Sequence, residues 1–212
     1  KEIQMTYVRS VAIKPRPGKI LETTASLAKL RPAFDELDIV GAAFFQVVTG
    51  QNIGNIQVAY VAEDLESLGI AHDAITANQI YLDMLGEMPA DMSMGLIAQN
   101  IYRAGTVDMD RVALRTLTMG SPDFGKMGVA TDWFSGLADE LVKGGAQSST
   151  VRVPIAGHSR PVISTATYYE DWSAWTAARE SLAASEFMRA SQSNTESFGT
   201  PLGVQLTKKL PI

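Results

Sequence analysis

One stretch of this chain occurs twice, and that repetition limits the fold more than any other feature. AYVAEDLESLGIAHDAITA starts at Ala59 and ATYYEDWSAWTAARESLAA at Ala166. In each copy a short β-type run ends in Glu-Asp and an amphipathic helical pattern begins at once. Asp64 and Asp171 are 107 residues apart, and the same offset pairs Pro15 with Pro122, Gly18 with Gly125, Lys19 with Lys126, Gly50 with Gly157 and Ile56 with Ile163. Over residues 14–84 the two copies align without a gap and share 12 identities in 71 positions. Average residue usage alone would give about 6%. The expected organisation is therefore two units, 1–107 and 108–212, each long enough to form a domain.

The repeated junction has a physical logic. A short carboxylate at a helix start accepts the free N–H groups of the first turn and suits the positive end of the helix dipole. Asp64 and Asp171 are read as such caps rather than as catalytic acids. Behind the first cap Leu65, Leu68, Ala71, Ile75 and Leu82 recur at helical spacing, and behind the second Trp172, Trp175, Ala178 and Leu182 do the same. Each helix must lay that stripe on a neighbour.

In the first copy, residues 5–14 read as a strand, 15–18 as a breaker, and Ile20 to Leu37 as a helix that Pro32 should kink or divide. Residues 42–49 and 55–62 are strands, the second helix is expected to run to about Met84, residues 85–93 read as a loop, and 95–103 close the unit. The second copy follows the same order, with strands at 112–119, 149–155, 162–169 and 203–209 and helices from Met127 and Trp172, the latter expected to run to about Ser191. This is βαββαβ twice, an α+β chain of two ferredoxin-like repeats with antiparallel sheets. Such a sheet carries both helices on one face and needs a cover for the other. Two sheets can supply it for each other as a barrel with the helices outside.

Composition narrows the function. The net charge is −5 and no Lys/Arg block exists, so no nucleic-acid partner is expected. The longest apolar runs are far short of 18 residues, so no membrane span is expected. The chain has no cysteine, which excludes disulfides and thiolate metal sites and suits a cytoplasmic protein. Lys1–Met5 does not read as a signal peptide. A chain that starts with Lys is expected to have been trimmed, which leaves open an export signal removed earlier. No GxGxxG after a strand, GxxxxGK[ST], GxSxG or HExxH motif is present, which disfavours the familiar nucleotide sites and triad hydrolysis.

Few residues carry chemistry. The two histidines, His72 and His158, are not equivalent at the 107-residue offset. His158 sits in a turn beside Arg160, either as an exposed turn residue or as a mouth residue that shuttles a proton. His72 lies one position off its helix stripe, as a half-buried structural residue or as a haem ligand or general base. Two scattered histidines make no metal site, and no metal or cofactor is expected. Tyr60 and Tyr168 lie on the third strand of their repeats, with Gln57 nearby; each is a satisfied core phenol or a pocket group that handles a proton. Alternation puts Gln57, Ala59 and Val61 on one face and Ile56, Val58 and Tyr60 on the other, but both faces are covered in such a fold. Arg152 replaces Phe45 at the repeat offset: a cation on a covered strand needs a partner or a ligand, whereas an edge location would leave it merely solvated. Trp133, Trp172 and Trp175 read as core or interface anchors, with Trp172 also a candidate ligand contact.

The junctions AYVAEDLESL and ATYYEDWSAW resemble the strand-to-helix segment of the dimeric α+β barrel superfamily, which includes antibiotic-biosynthesis-monooxygenase-like, EthD-like and NIPSNAP-like domains. The resemblance covers both halves but rests on element order and one short motif. It implies a barrel of two ferredoxin-like units, formed by two chains in single-repeat members, and a second copy of the chain as partner in a homo-oligomer, a dimer. It also implies a small apolar or aromatic metabolite as ligand, with a cofactor-independent monooxygenase or isomerase as the activity. The alternatives are a non-catalytic ligand-binding or oligomeric assembly protein, and third a haem-binding one.

Overall fold

The computed structural model describes residues 5–50, 52–87, 90–92, 95–157, 160–193 and 197–212. The first half runs β1 (Thr6–Pro15), α1 (Ile20–Asp35), β2 (Gly41–Thr49), β3 (Ile56–Ala62), α2 (Leu65–Ala77), α3 (Gln79–Glu87), β4 (Ala90–Met92) and β5 (Leu96–Gly105). The second runs β6 (Leu114–Pro122), α4 (Met127–Lys143), β7 (Ser148–Ala156), β8 (Ile163–Tyr169), α5 (Trp172–Ala184), α6 (Glu186–Ser193) and β9 (Gly199–Lys209). The bounds of β2 and β7, of β3 and β8, and of α2 and α5 each differ by 107 residues.

All strand pairs are antiparallel and form one sheet, in the order β3-β2-β9-β6-β8-β7-β5-β1, which closes through β3 and β1 into an eight-stranded barrel. The short β4 pairs only with the end of β1. Register repeats as the bounds do. Ser10 faces Ala59 across β1 and β3, and Leu117 faces Ala166 across β6 and β8. Likewise Ala43 faces Ala59, and Thr150 faces Ala166. The two half-sheets therefore meet edge to edge, at β2–β9 and β5–β7, inside a single chain. Closure leaves no long free strand edge to attract other chains.

The helices cover the outside. Phe44, Ile56, Val58 and Tyr60 pack with Leu27, Leu30 and Phe34 of α1 and Leu68, Ala71 and Ile75 of α2. Val151, Ile163 and Tyr169 pack with Phe134, Leu137 and Leu141 of α4 and Leu182 of α5. Trp133 stands in an aromatic cluster with Phe134, Phe187 and Phe198 at centroid distances of 5.0, 5.7 and 5.2 Å. The opposite strand faces look into the barrel, where Val8, Ala59 and Ala98 form one apolar group and Ala43, Phe45, Val112, Ala166 and Tyr168 another.

The junction caps are formed. Asp64 accepts from Ser67 N at 2.7 Å and Asp171 from Ala174 N at 2.8 Å. The Asp64 carboxyl is held below the usual carboxylate range, chiefly by its bond from the Ser67 backbone. Four local expectations need correction. Pro32 does not divide α1, which runs unbroken from Ile20 to Asp35 and ends within one turn of the proline. The helices behind the junctions do not run through to Met84 and Ser191. Each breaks at an extended residue, Asn78 or Ser185, whose side chain accepts from Ile80 N at 2.9 Å or Met188 N at 3.2 Å and starts a second helix. Residues 85–93 are not all loop, since α3 continues to Glu87 and β4 follows. Leu65 and Leu82 are 47% exposed and drop out of the buried stripe.

Candidate functional site

The barrel is not filled by side chains. One chamber of about 450 Å³ is lined by Ala43, Phe45, Asn100, Arg103, Arg152 and Tyr168, among others. A second, of about 440 Å³, is lined by Ser10, Gln57, Leu117, Arg160, Ser164 and Gln205. Arg152 borders both. These volumes fall in the range of small-molecule sites.

A buried polar layer lies between the chambers, and strand alternation places it there. Tyr168 is the even member of β8 that points inward with Ala166, while Thr167 and Tyr169 point to the helices. Arg152 stands on the neighbouring strand, and its Nη2 donates to the Tyr168 hydroxyl at 2.8 Å. Arg115, fully buried on β6, lies with its guanidinium 4.0 Å from the centre of the Phe45 ring. Its Nε donates to Thr207 Oγ1 at 3.3 Å and its Nη2 donates to Gln57 Oε1. Gln57 Nε2 in turn donates to Gln205 Oε1 at 3.1 Å. Among the described residues no carboxylate is ion-paired with Arg115 or Arg152.

Two buried cations without an acidic partner set the electrostatics. Burial brings the Arg115 guanidinium down to about 10. Burial alone would raise the Tyr168 phenol, but Arg152 and Arg115 outweigh it, helped by the Arg152 hydrogen bond, and the net displacement is downward. The phenol therefore ionises more readily than an ordinary buried tyrosine. Charge of this kind asks for an anionic or strongly polarised oxygen in the chamber.

The remaining candidates fall elsewhere. Tyr60 points to the helices, and its hydroxyl is 3.4 Å from His72 Nδ1. Burial pushes its phenol up to about 12, and burial followed by the charge of Arg9 lowers the His72 imidazole. The space beside this pair is about 50 Å³ and walled by core residues such as Leu27, Leu30 and Ile75. Haem does not fit there, since even small ligand pockets reach roughly 300 Å³. His158 lies outside the described residues. Trp172 is 52% exposed at the start of α5, edge-on to Trp175 at 5.7 Å, and lines neither chamber. Among the described residues no cluster of three or more His, Asp or Glu side chains could hold a metal ion.

No protein-family model matches this sequence, and no curated protein matches it. Solved structures do match in shape. A candidate monooxygenase from Fusobacterium nucleatum superposes with a TM-score of 0.68 at 8% identity, over 98% of this chain and 92% of that one. An anthrone oxidase-like protein superposes at 0.65 with 14% identity, over 99% and 92%. A chlorite dismutase variant from Candidatus Nitrospira defluvii gives 0.56 at 8% identity, over 97% and 91%. The chain has the dimeric α+β barrel fold. At such identities the likeness is one of fold, and the site must be argued from this chain's own residues. In this dimeric α+β barrel one chain supplies both half-sheets. The sequence alone did not single out Arg115, Arg103 or Asn100 as site residues. For Arg115 a signal was available, because at the 107-residue offset it stands opposite Val8, a charge in place of an apolar lumen residue.

Proposed function

We propose that the Arg152–Tyr168 chamber is the active site of a cofactor-independent enzyme acting on a small, largely aromatic molecule that carries an acidic oxygen group. One observation carries this: Tyr168 is clamped by Arg152 and lies close to Arg115 at a chamber of about 450 Å³, and among the described residues no carboxylate is ion-paired with either arginine. The guanidinium of Arg152 orients the substrate oxygen, and apolar residues such as Ala43 and Phe45 take the ring. Tyr168, ionised with the help of both arginines, removes a proton from the carbon next to the carbonyl. Returned to another position, that proton completes an isomerisation. If dioxygen takes the electrons instead, a CH₂ becomes a carbonyl, one oxygen atom is inserted and the other leaves as water. Both outcomes share the proton abstraction, and neither requires a bound cofactor. The two halves, 1–107 and 108–212, are on this account copies of one ferredoxin-like unit joined in tandem.

The test is exchange of the benzylic protons of phenylpyruvate for deuterium, followed by NMR, with dioxygen uptake recorded in parallel. The wild-type protein should accelerate exchange, and Tyr168→Phe should lose a factor of about 10² to 10⁴ while His72→Ala keeps the rate. Equal exchange by wild type and Tyr168→Phe removes the proposal. Assembly without catalysis has one observation in its favour: Leu65, Ile70, Leu82, Leu85 and Trp172 are exposed on the outer helices. An exchange-inactive protein that sediments as a dimer would select it.

A further inference from the structure

Two buried side-chain atoms of residues that line the first chamber have no hydrogen-bond partner among the described residues, and they are complementary. One is Arg152 Nε, a donor; the other is Asn100 Oδ1, an acceptor. Their residues are Cα partners across β5 and β7 and are 6% and 5% exposed. Both line the first chamber beside Tyr168. Asn100 is held by its other end, since its Nδ2 donates to Thr6 Oγ1 at 2.6 Å, which leaves the carbonyl oxygen rather than the amide without a partner. An unmet buried polar atom is destabilising by roughly 1–3 kcal/mol, so two at one register position are better explained by a ligand than by chance.

The geometry points to a ligand that carries a hydroxyl on the carbon next to a carboxylate. This inference rests on the first chamber being the ligand site. The carboxylate accepts from Arg152 Nε and balances the two buried guanidiniums. The hydroxyl donates to Asn100 Oδ1, which a carboxylate alone cannot do because it has no proton to give. A plain carboxylate would leave the Asn100 acceptor unmet, and a plain alcohol would leave both cations unbalanced. The enol form of a 2-oxo acid presents the same pair of groups, so Asn100 acts as a specificity residue that favours the enol over the ketone. The aromatic or apolar body then extends along Ala43, Phe45 and Ala59.

The test is calorimetric titration of the full chain with three matched probes: mandelate, phenylacetate, which lacks the hydroxyl, and O-methylmandelate, which keeps the oxygen but not its proton. Mandelate should bind about tenfold tighter than either of the others, the size expected when a buried acceptor gains its partner. Asn100→Ala should erase that preference, so that mandelate and phenylacetate bind alike, and Arg152→Met should weaken all three. The wild-type series decides the matter even if Asn100→Ala does not fold. Equal, Arg152-dependent binding of mandelate and phenylacetate overturns the hydroxyl assignment while leaving the chamber as a carboxylate site. Binding of none of the three overturns the ligand class altogether, and the deuterium exchange described above reports separately on the chamber's activity.

Discussion

Replacing Arg115 by methionine should make the protein more stable and its lumen tyrosine less acidic. Arg115 is 1% exposed, and burial brings its guanidinium down to about 10, roughly 2.5 pH units below the ordinary value. At about 1.4 kcal/mol per pH unit, holding it charged at neutral pH costs about 3 kcal/mol. The sign follows from linkage. A base whose folded value is depressed is destabilising wherever it stays protonated, and that penalty is relieved only as pH rises above about 10. Methionine has a similar length and fills the space against Phe45 without a charge. Against the gain stand the Gln57 and Thr207 side chains, which each lose a bond from Arg115. Gln57 keeps Gln205 and Thr207 keeps the Arg115 carbonyl, so that loss is about 1–2 kcal/mol in total. The net expectation is a gain of about 1–2 kcal/mol, as found when buried ionic groups give way to apolar ones.

The assay is urea denaturation at pH 7 for wild type and Arg115→Met, with the tyrosinate ultraviolet difference spectrum followed against pH in each. The stability midpoint should move up without a change in slope. The lowest-titrating tyrosine should move up in pH, because Arg115 is one of the charges that lowers Tyr168. A variant less stable by 2 kcal/mol or more would show that the arginine's contacts outweigh its desolvation and would refute the reasoning.

Tyr60 supplies the opposite pH dependence. Its phenol is raised to about 12, so its contribution is complete below the ordinary tyrosine value near 10 and is lost as pH rises from there toward 12. Tyr60→Phe should therefore flatten the alkaline loss of stability between those limits, read by urea denaturation at a series of pH values. Asp64→Ala and Asp171→Ala should each be destabilising by about 1 kcal/mol through loss of the helix cap. Because the caps belong to separate halves, the double variant should show the sum in thermal melts.

The fold was legible in the sequence because its information is local and stated twice. The Glu-Asp junctions fixed where α2 and α5 begin, and the 107-residue offset carried β2 onto β7 and β3 onto β8 with the same bounds. The breaks at Asn78 and Ser185 were less visible. Their apolar spacing continues through the break, and only the capping side chains mark it. The site was harder to read because its walls come from strands of both halves and both faces of every strand are covered. Tyr60 and Tyr168 looked alike as tyrosines on equivalent strands. Yet the offset carries Tyr168 onto Val61, one position from Tyr60, and a shift of one residue along a strand reverses the face.

That parity explains how the two halves divide the work. At the offset of 107, the lumen residues Arg115, Arg152 and Tyr168 stand opposite Val8, Phe45 and Val61. All three of the latter also line the first chamber. The second half thus supplies the two cations and the phenol, while the first half supplies apolar wall at the same three places. A barrel made of two identical chains would carry four buried arginines around one lumen, at about 3 kcal/mol of desolvation for a site like Arg115. Joining the halves in one chain allows one set of charges to be kept and the other replaced by valine and phenylalanine. The asymmetry that a single chain permits is what leaves apolar wall beside the charged layer.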